Sequence, residues 1–429
     1  MPDTSYFPRW KLRDGGVIAP DERLPAGQTL ALGVQHVVAM FGATVLAPLL
    51  MGFDPNVAIF FSGIGTLIFF VAVGGRVPSY LGSSFSFIAV VIAASAYAGS
   101  GPNMNIGVAL TGIIAAGIAY SIIGLVVMRV GYAWIDRLMP PVVTGAVVAV
   151  IGLNLAPIAV KSLAASTFDT WIGLATVVAT GLVAVRAPGL ARRLPILVGA
   201  IAGYLLYALL ANGLGLGKPI DFAAVATAPW LGVPRFVAPQ WSLEAATLIA
   251  PVAIVLVAEN LGHVKAVAAM TGENLDRYLG RAFLGDGIAT IVSGAGGGTG
   301  VTTYAENIGV MAVTKIYSTL VFVVAAFAAI VLGFSPKFGA LVATIPVPVL
   351  GGLAVVVFGL ITATGARIWI VNHVDFGRAR NLVTVAVTLT IGAGDLSLRI
   401  AGFTLGGIGT ATFGAILLYQ LWRDAPEGT

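Results

Sequence analysis

Long apolar stretches dominate this chain of 429 residues and constrain its fold more than any other feature. Fourteen of them follow one another from the region of Val38 to that of Ile408, and several are short or interrupted by glycine. About 20 apolar residues in a helix cross a bilayer core, and in lipid the backbone polar groups must be satisfied inside the segment. The sequence therefore predicts an all-α polytopic membrane protein with 14 transmembrane segments.

Charge supports this class of fold. Only 10% of the residues are charged, against about 25% in soluble proteins. When Lys and Arg are divided between alternate connections, five of the 23 fall on one side and 18 on the other. The five are Lys161, Lys218, Arg235, Lys337 and Arg399. By the positive-inside rule both termini are cytoplasmic, so the net charge of +5 indicates topology and not a nucleic-acid partner.

The chain ends are polar. Residues 1–27 hold four prolines and no apolar core, so we interpret them as a cytoplasmic lead and not as a signal peptide. Residues 423–429 are interpreted as a cytoplasmic tail. The absence of cysteine excludes disulfides, thiol catalysis and cysteine-ligated metal, and we expect no metal and no cofactor other than a proton as coupling ion.

Two local patterns recur in the two halves of the chain. Residues 139–145 (MPPVVTG) and 345–351 (IPVPVLG) both open Val-rich segments, and the SSF of 83–85 matches the TTY of 302–304 in type. If these are the fifth and twelfth, and the third and tenth, segments, the repeat unit is seven segments and must be inverted. Chance similarity between apolar segments is the alternative.

Glycines at 294–300 precede the TTY pattern, and only a short apolar run follows before Lys315. This indicates an extended piece that meets a half-helix inside the membrane, which is tolerated where it is buried or lines a cavity. Glu306 would then lie at the start of the half-helix, beside free backbone N–H groups. Residues 82–85 would form the matching piece.

A motif with a carboxylate occurs twice in apolar surroundings, as AENLG at 258–262 and AENIG at 305–309. A charge at the bilayer centre costs about 3 kcal/mol, so such groups face cavities and mark transport sites. His263 shares a helix face with Glu259, and His36 lies in the first segment; each is either a proton carrier or a structural group. Asn260 and Asn307 are expected to bond between helices. Asp286, between two glycines, is interpreted as a helix boundary outside the site.

Carboxylates accept and half-helix starts donate hydrogen bonds, while the rings of Phe85, Tyr304 and Phe358 allow stacking. The complementary ligand is planar and carries donors and acceptors, as a nucleobase does. Two neighbouring carboxylates in a dry cavity are not ionised together, so we predict that a proton and the substrate bind together.

The segments 82–85 (GSSF), 258–263 (AENLGH) and 302–309 (TTYAENIG), with the Gln35–His36 pair, resemble signatures of the nucleobase-ascorbate (uracil-xanthine) permease family. The resemblance implies 7+7 inverted repeats with short antiparallel strands in segments 3 and 10. It also implies a core (substrate-binding) domain of residues 28–131 and 242–335 and a gate domain of residues 132–241 and 336–422.

Carried over by position, the resemblance implies that Glu259 and Glu306 hydrogen-bond the base, that Phe85 and Ala305 offer backbone N–H groups, and that His263, Glu259 and His36 serve proton coupling. Tyr304 and Phe358 complete the expected substrate site. Ala305 and Phe358 stand where the uracil-selective pattern has glycine and tyrosine, so the choice among uracil, related pyrimidines and xanthine stays open.

The predicted function is therefore import of a nucleobase by proton symport through the inner membrane of a bacterium. The lipid bilayer and the base are the expected partners, and the family implies a homodimer. The alternatives are an anion transporter of the sulfate-permease type, which has the same architecture but fewer acidic groups, and an intramembrane hydrolase built on Glu259 and His263. A hydrolase of this kind would lack a third metal ligand.

Overall fold

The structure, a computed structural model, describes residues 5–13, 15–99, 101–189, 191–400 and 403–422. The predicted tail at 423–429 lies outside the described residues. Most of the described chain is helical.

The helices of the first part of the chain are α1 (Ala26–Met51), α2 (Pro55–Ala72), α3 (Ile88–Ser95), α4 (Ile106–Val130), α5 (Ala133–Leu138), α6 (Pro141–Leu163), α7 (Thr167–Arg186), α8 (Pro195–Ala208) and α9 (Ala223–Thr227). Those of the second part are α10 (Leu243–Ile249), α11 (Val252–Thr271), α12 (Leu279–Ala295), α13 (Ala305–Thr314), α14 (Thr319–Gly333), α15 (Pro336–Ala343), α16 (Val347–Val371), α17 (Ala379–Ala393) and α18 (Gly407–Leu421). A 3₁₀ turn, Phe85–Phe87, leads into α3, and a π-helical turn, Leu209–Gly213, extends α8.

Eight helices in the described part of the chain are long and apolar enough to cross a membrane. A ninth span results if α14 and α15, which meet at an angle of 81°, are counted together. Three shorter apolar helical stretches are Phe85–Ser95, α17 and α18. The chain is thus a mostly helical, polytopic membrane protein, as the apolar stretches predict.

In the part of the chain that the structure describes, three two-stranded pairings accompany the helices. Strands β1 (Lys11–Leu12) and β2 (Glu22–Arg23) are parallel and lie in the lead. Strands β3 (Leu81–Ser83) and β4 (Val301–Thr303) are antiparallel, with Gly82 opposite Thr302. Strands β5 (Leu398–Ile400) and β6 (Phe403–Leu405) form an antiparallel pair between α17 and α18.

The pairing of β3 with β4 confirms that extended pieces occur at the two predicted breaks. It requires glycine, because a Cβ at Gly82 would lie 2.5 Å from the ring of Tyr304. Beyond the strands, the amide of Ser84 donates to Gly300 O (2.9 Å) and that of Tyr304 to Tyr80 O (3.0 Å). The 3₁₀ turn at Phe85 and helix α13 begin directly after these bonds, so two short helices start at one crossing point.

Long helices pack in pairs around this crossing. α4 packs along α12, α2 along α14, and α6 along α16. The third pair is antiparallel, because Gly145 approaches Gly365 while Gly152 approaches Phe358 O. Small residues allow these close contacts between backbones.

The predicted helix boundary at Asp286 is wrong, because this residue lies inside α12 and is fully buried. Its neighbouring glycines serve packing and not a turn. A Cβ at Gly287 would lie 2.4 Å from Ser121 Oγ of α4, and one at Gly285 would lie 2.9 Å from the Cβ of Ala72 of α2. The carboxylic acid of Asp286 thus lies where α12 packs closely against α2 and α4.

Candidate functional site

Glu306 occupies the first turn of α13, one residue beyond Ala305, with which the helix begins. The strand–helix break therefore lies where the glycines and the TTY pattern predict it. Glu306 is half-buried and Ala305 is exposed. The first N–H groups of a helix have no partner within it, and they carry the positive end of its dipole. The start of α13 thus offers backbone donors and a carboxylate side by side.

Glu259 lies on the continuous helix α11 and reaches the same region. Its carboxylate lies near that of Glu306 and near the side chain of Ser84, which precedes the 3₁₀ turn. Its Oε2 atom is buried without a hydrogen-bond partner. A buried acceptor without a partner is costly, so this atom is available to a ligand or a proton.

Two of the predicted aromatic residues meet across the helices. The rings of Phe85 and Phe358 form an edge-to-face pair with centroids 6.0 Å apart and an interplanar angle of 83°. Phe85 is half-buried, whereas Phe358, on α16, is 1% exposed. The contact joins the 3₁₀ turn at the strand crossing to a helix of the α6–α16 pair.

Tyr304 is turned into the protein. Its hydroxyl accepts a hydrogen bond from Thr44 Oγ1 of α1 (3.0 Å) and donates one to Ser83 O of β3 (2.9 Å). Its ring covers Gly82, and the residue is 4% exposed. With both bonds made inside the protein, this side chain ties the strand crossing to α1.

The two histidines that the sequence predicts for the site have different partners. His263 Nδ1 lies 2.9 Å from Thr303 Oγ1 of β4. His36 of α1 faces Asn307, whose Nδ2 lies 3.1 Å from His36 O and 2.9 Å from His36 Nδ1. The carbonyl oxygen of His36 can only accept a hydrogen bond, so the Asn307 side-chain group beside it must be the NH₂ group. The same NH₂ group lies beside His36 Nδ1, which therefore accepts its second hydrogen bond. The ring proton of a neutral His36 is therefore on Nε2.

Asn260, beside Glu259, bonds between helices as predicted. Its Nδ2 donates to Tyr120 OH of α4 (3.0 Å) and to Asp286 Oδ2 of α12 (2.6 Å). The other oxygen of Asp286 is buried without a partner. Asp286 was missed from the sequence because its flanking glycines resemble a turn; the signal that could have found it is a lone carboxylate inside an uninterrupted apolar helix.

The glycine at the end of each AENxG motif faces open space. A Cβ at Gly262 or Gly309 would meet no heavy atom within 4 Å. Along α13 the exposed face continues from Gly309 to Val313, and along α11 from Gly262 to Ala266. Exposed stripes on α11 and α13 thus begin beside the two motifs.

Within the described ranges, no group of three or more His, Cys, Asp or Glu side chains is arranged to hold a metal ion. The pair of Glu259 and His263 therefore has no third ligand there.

The fold is similar to that of solved membrane transporters. The transmembrane domain of a cyanobacterium bicarbonate transporter, BicA, aligns with a TM-score of 0.57 at 18% identity, over 85% of this chain and 96% of that one. SLC26A9 aligns with a TM-score of 0.61 at 14% identity, over 92% of this chain and 66% of that one. These likenesses show that the chain shares its fold with these proteins.

Sequence comparison identifies the family. Residues 27–401 match the model described as "Permease family", that of the xanthine and uracil permeases. "Putative pyrimidine permease RutG" of Escherichia coli (strain K12) is 64% identical over 419 residues, 97% of this chain and 95% of that protein. "Uracil permease" of Bacillus caldolyticus is 40% identical over 426 residues, 96% of each chain. The chain belongs to the nucleobase-ascorbate (uracil-xanthine) permease family and is a transporter, not an enzyme.

Proposed function

We propose that this chain imports uracil or a related pyrimidine, with xanthine as a further candidate, by proton symport. The observation that carries the proposal is the pairing of two carboxylates, Glu259 and Glu306, where two short helices start at one strand crossing. Such a site presents acceptors and donors within one small region. The relatives named as uracil and pyrimidine permeases support the same substrate class.

In the proposed binding mode the base lies between the strand crossing and α16. Glu306 accepts from ring N–H groups of the base, and the backbone N–H groups of Ala305 and Phe85 donate to its carbonyl oxygens. The rings of Phe85 and Phe358 flank its plane. Tyr304 supports the site by fixing the crossing, since its hydroxyl already bonds Thr44 and Ser83.

Proton coupling follows from the repulsion between the two carboxylates. Two acidic groups that interact in a poorly hydrated cavity do not both ionise at neutral pH. We propose that Glu259 takes up the proton, because its Oε2 has no partner in the protein. His263 belongs to the same network through Thr303, whereas His36 is engaged by Asn307. Protonation of Glu259 then makes the pair singly charged and favours the base at Glu306.

The proposed architecture has 14 segments in two inverted repeats of seven. It adds α3, α12, α13, α17 and α18 to the nine spans that length and composition indicate. In such a repeat α2 corresponds to α12, α4 to α14, α6 to α16, and β3 to β4. The packed pair α4–α12 is then equivalent to the packed pair α14–α2, whereas the pairs α6–α16 and β3–β4 each join an element to its own equivalent. All four pairings occur, and α6 and α16 both begin after a proline N-cap. The core domain (28–131 and 242–335) would carry the glutamates, and the gate domain (132–241 and 336–422) would carry Phe358.

We further propose that the chain resides in the bacterial inner membrane with both termini in the cytoplasm. The distribution of Lys and Arg supports this orientation. In this orientation the exposed stripes from Gly262 on α11 and from Gly309 on α13 would run toward the cytoplasmic side. Association into a homodimer stays a prediction.

Anion transport is the alternative that the fold itself favours, because BicA and SLC26A9 share it. Two neighbouring carboxylates oppose it, since an anion would meet them without a compensating cation. Radiolabelled bicarbonate and sulfate uptake, measured beside uracil uptake in the same vesicles, separates the two proposals.

The direct test is uptake of labelled uracil into proteoliposomes that contain the purified protein. Unlabelled thymine, xanthine, hypoxanthine and adenine are added as competitors, and an inward proton gradient is imposed or omitted. We expect saturable uptake that rises with the gradient and is competed by pyrimidines. Uptake that ignores the gradient would reject proton symport, and absence of uptake for every base would reject the substrate class.

A further inference from the structure

The N-terminal lead is held against the connection between α13 and α14. The amide of Ile18 donates to Lys315 O (3.0 Å), and the amide of Tyr317 donates to Ile18 O (2.8 Å). Ile18 is fully buried and forms a parallel bridge with Ile316. Lys315, the residue at which α13 ends, has a positive φ of 59°, a conformation that a non-glycine residue adopts only at a cost. The lead thus holds the far end of the half-helix that carries Glu306.

A second set of bonds holds the start of α14. Thr319 N and Thr319 Oγ1 both donate to Pro20 O, at 3.1 and 3.0 Å. The same hydroxyl accepts from Trp10 Nε1 (3.0 Å). Thr319 is 1% exposed, so these bonds are shielded from water. The connection 315–319 is therefore fixed by the lead at both of its ends.

Other contacts tie the lead to α2 and α12. Tyr6 OH donates to Val71 O (2.8 Å) at the end of α2. The rings of Phe7 and Phe70 are stacked with centroids 5.5 Å apart. Arg281 of α12 lies over the ring of Tyr6 at 5.5 Å. The lead thus contacts the ends of α2, α12 and α14.

The lead is also braced internally. Besides the pairing of β1 with β2, Arg13 forms an ion pair with Glu22 (2.8 Å), and Ala19 N donates to Glu22 Oε2 (2.9 Å). The Ala19 amide, and after it the Arg13 guanidinium, hold the pKa of Glu22 below its usual value. The bracing is present above the ordinary glutamate pKa and is lost as the pH falls through the lowered value.

We infer that Ile18 and Thr319 are positioning residues for Glu306 and that the lead sets the affinity for the substrate. A ten-residue helix is a rod of about 15 Å, so a shift at Lys315 moves Glu306 relative to Glu259 on α11. Two carboxylates that share one ligand need a fixed separation. The identity of the ligand in this inference rests on the proposed function. The link from the lead through α13 to Glu306 does not depend on it.

The test uses the full chain with Thr319→Val, which keeps the shape of the side chain and removes its hydroxyl, and with Trp10→Phe, which removes the indole N–H. Thr319→Ser restores the hydroxyl, and Thr390→Val is the matched control because its hydroxyl bonds only its own helix, at Ala386 O. Two readouts are taken from each purified variant: the dissociation constant of uracil and the hydrogen exchange of residues 308–317.

We expect faster exchange in 308–317 and a uracil dissociation constant raised about three- to tenfold in Thr319→Val, with a smaller rise in Trp10→Phe. Thr319→Ser and Thr390→Val should match the wild type. A purely structural role would lower the unfolding temperature and the yield but leave the dissociation constant of the folded fraction unchanged; that result overturns the inference. Unchanged exchange in Thr319→Val overturns it as well. If the wild type itself fails to bind uracil, the proposed function fails, and the exchange data still decide whether the lead holds α13.

Discussion

The AENxG segment on α11 and the one on α13 orient their residues alike but in different surroundings. In each, the glutamate lies at the site, the asparagine is buried against another helix, and the glycine faces open space. Asn260 bonds Tyr120 and a second carboxylic acid, Asp286. Asn307 bonds a neutral partner, His36. The same five-residue pattern therefore contributes to one site from two electrostatically different surroundings.

The helices also differ. α11 continues for 20 residues, whereas α13 begins only one residue before Glu306. Glu306 has free helix N–H groups beside it, while Glu259 has the Asp286 network and His263 near it. From this contrast we propose that Glu306 binds the substrate and that Glu259 takes up the proton.

The largest expected effect is that of Glu306→Gln on binding. The variant replaces a charged acceptor with a neutral amide, and hydrogen bonds to charged groups contribute about 1.5–3 kcal/mol. The dissociation constant of uracil, measured by calorimetry, should rise about 100-fold. Glu244→Gln, an exposed residue on α10, is the control. If the dissociation constant of Glu306→Gln rose by less than about threefold, the Glu306 carboxylate would not be a ligand of the base.

The asparagines should differ in their effect on stability. Asn260→Ala leaves the buried Asp286 without its donor, which should cost about 3 kcal/mol. Asn307→Ala removes bonds to neutral groups and should cost about 1 kcal/mol. Unfolding of the purified variants, followed by tryptophan fluorescence, measures both. Equal losses would mean that the two motifs are not electrostatically distinct.

Variants of His36 and His263 test which of the two AENxG motifs is coupled to proton transport. Asparagine can take the place of an Nδ1 acceptor but cannot titrate. We expect His36→Asn to keep gradient-driven accumulation of uracil, and His263→Asn to lose most of it while still binding the base. Accumulation assays in proteoliposomes decide this, and loss in His36→Asn alone would reverse the assignment.

The smallest effect is expected at the glycines. Gly262→Ala and Gly309→Ala add a methyl group into open space, so unfolding temperatures should not fall. Uptake should decrease about three- to tenfold, and more for xanthine than for uracil because the purine is larger. Gly414→Ala, also without neighbours within 4 Å, should leave uptake unchanged. Equal uptake in all three variants would exclude the open stripe as the route of the base.

Sequence patterns predicted much of this arrangement. Glycines before TTY located the break ahead of Glu306, because only a strand and a half-helix fit the short apolar run. The roles of Asn260 and Asn307 followed from their polarity in apolar segments. Partners that lie far apart in sequence could not be read this way: the bond between Asn307 and His36 joins α13 to α1, and that between Ile18 and Lys315 joins the lead to α13. Asp286 was misjudged because glycines that serve close packing resemble those of a turn.

The central claim is that the two glutamates have different tasks, and Glu259→Gln tests it most directly. In proteoliposomes with an imposed gradient of one pH unit, which corresponds to about 1.4 kcal/mol per proton, uracil accumulation and uracil counterflow are measured on the same preparation. With one proton per base, the wild type should accumulate uracil about tenfold under this gradient. We predict that the variant loses this accumulation. It should keep counterflow, because counterflow needs only binding and exchange of the base. Accumulation at the wild-type level, or loss of counterflow together with accumulation, would contradict the account.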